Sequence, residues 1–214
     1  MSPRQSKSNS NSTRRSQIER RSVLKRRPSG ARVEKKRFLI LCEGDTERLY
    51  FRGMRVRGGP VLDVVNPEVD HLSVIDEAQR RWRVDDYDDG DEVWCVLDTE
   101  LDRDLAERML STAGGEVQLG LSTPCFDFWL LLHHKEHRAP FQSAREVEKA
   151  VKCALPGWSK GSTRFADFEA GVDDACRRAR AIDPKGNDHM RNPSTSVWRL
   201  VESIRESGDG QHPL

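Results

Sequence analysis

"FLILCEGDTERLYF", from Phe38 to Phe51, decides how the rest of the chain is read. Five apolar or sulfur-bearing residues, Phe38 to Cys42, run straight into Glu43 and Gly44, after which charge and helix-like spacing begin. A short apolar run closed by a glycine reads as a buried strand, and the segment after it reads as a helix. Glycine reaches a positive φ without strain, so Gly44 is expected to turn the chain sharply there. Glu43 is then left projecting from the strand's end.

The same alternation continues outward. "RFLILC" (37–42), "VLDVVN" (61–66), "EVWCVLD" (92–98) and "EVQLGL" (116–121) are short, rich in Val and Leu, and bounded by Gly, Pro or Asp. Helical spacing fits "DTERLYFRGMRV", "HLSVIDEAQRRWR", "LDRDLAERMLSTA" and "PCFDFWLLLHH" between and after them. Strands alternating with helices predict an α/β fold, a mainly parallel four-stranded sheet flanked by helices. From Ser143 onward the pattern is helical only. The expected organisation is a basic tail over residues 1–36, an α/β core over 37–142 and an all-helical C-terminal part over 143–214, packed on the core.

The charge is divided along the chain. Residues 1–37 hold thirteen Lys or Arg against two Glu, so a net charge of +1 leaves about −10 on the remainder. A tail of Ser, Asn and Arg has little to bury and is expected to be disordered alone, able to neutralise phosphates or to fold back on the acidic body. No apolar run approaches the roughly eighteen residues of a membrane span, and no secretory pattern opens the sequence, so a soluble, cytoplasmic protein is expected. The five cysteines include no close pair and read as small core residues in a reducing compartment.

Active groups of an open α/β sheet gather at the carboxyl ends of its strands. Two of these strands end in acid: the first in Glu43, the third in Asp98, followed by Glu100. In an extended chain residues two apart leave on the same side, so Asp98 and Glu100 would share a face. Carboxylates brought together repel unless a cation lies between them, and oxygen ligands favour Mg²⁺ or Mn²⁺. The plainer reading is helix capping, by Asp98, Asp102 or Asp104 for the helix over 102–112 and by Glu43 for the helix beginning near Asp45. Within "PCFDFWLLLHH", Asp127 is a lone acid in an apolar helix, and Pro124 suits that helix's first turn. It either serves the metal site or accepts hydrogen bonds in the core. His133 beside it could position a phosphate or shuttle a proton, or simply be a C-terminal helix cation. In "KGNDHMRNPSTSVWRLV", Ser194 or Thr195 can cap the last helix, and Lys185, His189 and Arg191 add positive charge nearby. A substrate phosphate could dock there, with Lys160 as a further contact.

Taken together these residues resemble the TOPRIM fold of topoisomerases, primases and OLD-type nucleases, and more closely the RloB-like family linked to abortive phage infection. The family's Glu-Gly, Thr-Glu and aromatic pair is matched by Glu43, Gly44, Thr46, Glu47, Tyr50 and Phe51. Its Asp-x-Asp is matched by Asp98 with Glu100 in the second place. A third motif is matched by Pro124, Cys125, Phe126, Asp127, Trp129, Leu130, Leu131 and His133, with Asp127 where Glu is common. The last, Asn-Pro-Ser-Thr, is matched by Asn192 to Thr195. Trp158 stands ahead of Lys160 where the family tends to have Tyr. The resemblance implies a metal-dependent TOPRIM nuclease of anti-phage defence, acting on DNA or RNA with an ABC- or OLD-type partner ATPase. The 214 residues contain no Walker A sequence, so an ATP motor would have to come from elsewhere. On this reading Glu43, Asp98 and Glu100 hold Mg²⁺ or Mn²⁺, Asp127 and His133 assist, and Gly44, Thr46, Lys160, Arg191, Ser194 and Thr195 meet substrate. The alternatives are a catalytically silent interaction module and a primase-like nucleotidyl transferase.

Overall fold

A computed structural model describes residues 35–55, 58–85 and 87–209. The basic tail over 1–36 lies almost wholly outside the described residues. Strand β1 (Arg37–Cys42) leads into helix α1 (Asp45–Gly53), then β2 (Val61–Val65), α2 (His71–Val84), β3 (Glu92–Asp98), α3 (Arg103–Ala113), β4 (Gln118–Thr123) and α4 (Asp127–His134). Helices α5 (Ala144–Ala154) and α6 (Val172–Ile182) follow, then a two-residue strand β5 (Ser194–Thr195) and α7 (Val197–Asp209). The sheet order is β2-β1-β3-β4-β5, with β1 to β4 parallel and β5 antiparallel to β4. This is the TOPRIM-like α/β arrangement, mostly parallel and helix-flanked.

Side chains alternate across the strands and sort into two cores. Leu39, Leu41, Val93, Cys95, Leu97, Leu119 and Leu121 face α2 and α3, packing with Val74, Ile75, Ala78, Ala106 and Met109. Phe38, Ile40, Leu62, Val64, Trp94 and Val96 face the other way, into a larger cluster shared by α1 and α4 to α7. The C-terminal helices thus complete the sheet's second face: Val147, Val151, Ala175, Ala179, Leu200 and Val201 lie in the same core as Ile40.

Three expectations about the elements are corrected. The sheet has five strands rather than four, because Ser194 and Thr195 pair with Thr123 and Ser122, so the C-terminal part is not all-helical. β4 runs two residues later than its apolar pattern, since Ser122 and Thr123 stay in the ladder as partners of β5 and Asp98. Pro124 lies outside α4, in the connection from β4. One cysteine, Cys153, is exposed rather than in the core; the other four are buried. Among the described residues no helix is long and apolar enough to cross a membrane.

Candidate metal centre

The parallel order puts the carboxyl ends of β1 to β4 along one edge, and each delivers chemistry there. Glu43 follows β1, His71 opens α2 after β2, Asp98 ends β3 with Glu100 just beyond, and Asp127 opens α4 after β4. Glu47 and Lys160 complete the group.

Capping does not account for Glu43 or Asp98. Asp102 caps α3, accepting from Leu105 N at 3.0 Å, and Asp70 caps α2. Helix α1 has Gly44 at its N-cap position and no side-chain cap. Glu43 Oε2 accepts instead from Asp98 N across the sheet, at 3.1 Å, and Asp98 Oδ1 accepts from Phe126 N at 2.8 Å. The two strand-end acids are thus pinned by backbone amides of neighbouring connections. Gly44 is extended (φ −130°, ψ 176°), so the expected positive φ is not what calls for glycine. A Cβ there would sit 2.8 Å from Glu47 Oε2, so any larger residue would push that carboxylate aside.

Glu47 is the residue that sequence reasoning left out of the site. It is 6% exposed in the first turn of α1, and its Oε2 is buried with no hydrogen-bond partner. Asp127 is 1% exposed, and its Oδ2 likewise lacks a hydrogen bond, with Lys160 Nζ 3.3 Å away. Burial, reinforced by Glu43 and Asp127, pushes the Glu47 carboxyl up to about 7. Burial, with Glu47 and Glu43 close by, holds Asp98 well above the usual carboxylate range. Asp127 is also raised, by burial against the opposing charge of Lys160. These shifts share a first cause, burial, and at Glu47 and Asp98 the neighbouring carboxylates add to it more than Lys160 offsets.

The donors suit a hard divalent ion. They are oxygens on a preorganised edge, and a buried carboxylate oxygen without a partner costs about 1–3 kcal/mol or more, which a cation would return. Glu47, Asp98 and Asp127 lie on the buried side, where their charges and that of Glu43 act on one another, and Glu43 also belongs to an outer group. In that outer group Glu43, His71 and Glu100 each offer a ligand atom, all within 4.8 Å of one another. Glu100 does not continue in line with Asp98 as an extended chain would. Glu100 and Leu101 have φ of 53° and 62°, left-handed values that turn the exposed Glu100 side chain toward Glu43 and His71. His71 Nε2 lies 3.1 Å from Glu43 Oε2, and contact with that carboxylate raises the imidazole above its ordinary range.

The remaining expected residues are placed as follows. Lys160 is half-exposed at the mouth beside Asp127, and its carbonyl accepts from the buried Thr46 Oγ1 at 3.4 Å, so Thr46 anchors the lysine's turn. Arg191 is exposed on the loop before β5, whose His189 carbonyl accepts from Thr123 Oγ1 at 2.6 Å. Ser194 and Thr195 are buried: Thr195 Oγ1 is 2.9 Å from Ser122 Oγ, and Ser194 Oγ donates to Asp188 O. They tie β5 to the body and are not open to a phosphate. His133 is a core residue: it is 4% exposed, Nδ1 donates to Trp129 O at 2.9 Å, and Nε2 accepts from Tyr50 Oη at 3.0 Å. Burial lowers it to about 3, so both nitrogens are spent in a neutral ring away from the carboxylates. The chemistry expected of His133, Ser194 and Thr195 therefore does not fit their positions.

A sequence signal existed for Glu47 but not for the other missed residue, His71. Thr46, Glu47, Tyr50 and Phe51 are the buried positions of α1, which makes Glu47 an acid on an apolar helical face. His71 needed the strand order, which places β2 beside β1. The family described as RloB-like protein matches residues 38–204. Neither the curated proteins nor the solved structures yield a match.

Proposed function

The chain belongs to the RloB-like family, and we propose that it is a metal-dependent nuclease that hydrolyses phosphodiesters of DNA or RNA in anti-phage defence. The observation that carries this reading is the convergence of Glu43, Glu47, Asp98 and Asp127 on one sheet edge, with two buried carboxylate oxygens left without hydrogen bonds. Backbone amides meet one oxygen each of Glu43 and Asp98, and among the described residues Lys160 and His71 are the cationic side chains paired with these acids, at Asp127 and Glu43.

Glu47, Asp98 and Asp127 would hold Mg²⁺ or Mn²⁺, with Glu43 and Glu100 beside them. When bound, such an ion supplies positive charge against the phosphodiester and its leaving oxygen. Glu43 Oε2 is oriented by Asp98 N, which leaves Oε1 to accept a proton from an attacking water. Lys160, half-exposed beside Asp127, would meet a phosphate oxygen of the substrate once the ion satisfies Asp127. Arg191, on the loop tied to Thr123, would extend that contact along the nucleic-acid backbone.

The test is incubation of the purified chain with DNA and with total RNA in Mg²⁺, in Mn²⁺ and in chelator, with and without the ATPase partner that the resemblance implies. Metal-dependent cleavage that disappears in Asp98→Asn supports the reading. No cleavage of either polymer under any of these conditions favours an interaction module, and incorporation of nucleoside triphosphates favours a nucleotidyl transferase.

A further inference from the structure

The outer group holds one ligand that is not an oxygen. His71 is the first residue of α2, on a turn fixed by Asp70, which accepts from Ser73 N at 3.3 Å and from Ser73 Oγ at 2.7 Å. Its side chain is 16% exposed, and Nε2 is buried with no hydrogen-bond partner although Glu43 Oε2 is only 3.1 Å away. That oxygen also accepts from Asp98 N. The imidazole thus faces the Glu43 carboxylate at ion-pair distance.

The distances suit a shared ion. Ligand atoms bound at about 2.1 Å lie about 3 Å apart when adjacent and about 4.2 Å when opposite, and one atom each of Glu43, His71 and Glu100 falls within 4.8 Å of the others. The strained turn at Glu100 has a use on this account, because φ of 53° and 62° at Glu100 and Leu101 is what brings the third ligand in.

We propose that His71 is a nitrogen ligand of a divalent ion held between Glu43 and Glu100, and that this nitrogen makes the site prefer Mn²⁺ to Mg²⁺. Imidazole binds first-row transition ions well, whereas Mg²⁺ holds to oxygen ligands and its own waters. The inference rests on the metal-dependent reading of the same edge. Its rival is an ion pair between a protonated His71 and Glu43, which would leave no nitrogen on the metal.

Spin-echo modulation spectroscopy of the full chain with one equivalent of Mn²⁺ separates the two, because a directly bound imidazole gives a ¹⁴N coupling. The expected result is nitrogen coupling in the wild type that is lost in His71→Ala. Mn²⁺ affinity should fall by about tenfold or more while Mg²⁺ affinity changes by less than about threefold. His71→Gln, which keeps the volume of the side chain, should behave in the same way. Bound Mn²⁺ without nitrogen coupling in the wild type would overturn the proposal and leave the carboxylate site standing. Coupling that survives in both variants would assign the nitrogen to another histidine and also overturn it. No Mn²⁺ binding at all would remove both this inference and the metal-dependent reading.

Discussion

Glu47 shows how a single side chain separates a metal site from a structural one. Its carboxyl is pushed from an ordinary 4.5 to about 7, so the folded protein holds that proton more tightly than the unfolded chain does. Ionisation therefore favours unfolding, and Glu47's contribution to stability falls as pH rises between about 4.5 and 7. Glu47→Gln cannot ionise. The variant should gain stability relative to wild type across that window and hold a constant difference above it, as read from denaturant midpoints without metal. His133, lowered to about 3, acts in the opposite sense, losing stability as pH falls below its ordinary 6.5, but it is common to both proteins and cancels in the difference. Added Mn²⁺ should raise the wild type at neutral pH more than it raises Glu47→Gln, which keeps Glu43, His71 and Glu100; an equal rise in both would show that Glu47 takes no part in holding the ion. Glu100 offers a complementary case. A non-glycine residue at φ 53° costs about 1 kcal/mol, so Glu100→Gly should stabilise the metal-free protein by about that amount while weakening Mn²⁺ binding. A variant both less stable and equally able to bind metal would contradict the place given to Glu100. Glu43, Asp98 and Asp127 were legible in the sequence because each is an acid where an apolar segment starts or stops. Gly44 was legible as a turn glycine for the wrong reason, since its φ is not positive and what it meets is Glu47, three residues on in the first turn of α1.

At the scale of elements, what joins the halves of the molecule is close approach of backbone. Gly171, just before α6, packs on the end of α4: a Cβ there would lie 2.4 Å from the His133 carbonyl oxygen and 2.9 Å from its carbon. Neither atom is the end of a flexible side chain. Gly171→Ala should therefore force α4 and α6 apart and cost about 2 kcal/mol or more, measured by chemical denaturation. Because α4 opens with Asp127, metal affinity should fall with it; unchanged stability would mean that the approach is looser than described. The parallel strands were legible because Val- and Leu-rich runs need only local pattern. Strand β5 was not, since Ser194 and Thr195 have no apolar alternation and are held by bonds to β4, 71 to 73 residues away. The segment before α6 reads as helix from Arg164 but forms only short 3₁₀ turns up to Gly171. There Tyr50 and His133 meet Phe165 and Phe168 edge-on, and that packing overrides the helical spacing.

For the whole molecule, the sheet order gathers the acidic groups on one edge, and a phosphodiester can approach that edge only if other positive charge offsets it. Residues 1–34 carry ten of the chain's 36 Lys and Arg. Their removal should leave the two cores intact while lowering nucleic-acid affinity and flattening its dependence on salt, measured by fluorescence anisotropy at two ionic strengths. Identical binding by both forms would show that the tail does not serve the polymer. The fold class follows from alternating pattern, and the position of the edge follows from strand order. The central claim is narrower: the acid ending β1 is there for chemistry rather than for the fold. Glu43→Gln keeps the volume and an acceptor for Asp98 N while removing charge and basicity. The decisive measurement is the cleavage rate of this variant beside wild type, on whichever polymer wild type cuts, in Mn²⁺, with the thermal midpoint of both read in the same buffer without metal. The account predicts a rate lower by about a hundredfold or more with a midpoint at or above that of wild type. A variant that cuts at near wild-type rate but melts earlier would make Glu43 a structural residue and contradict the account.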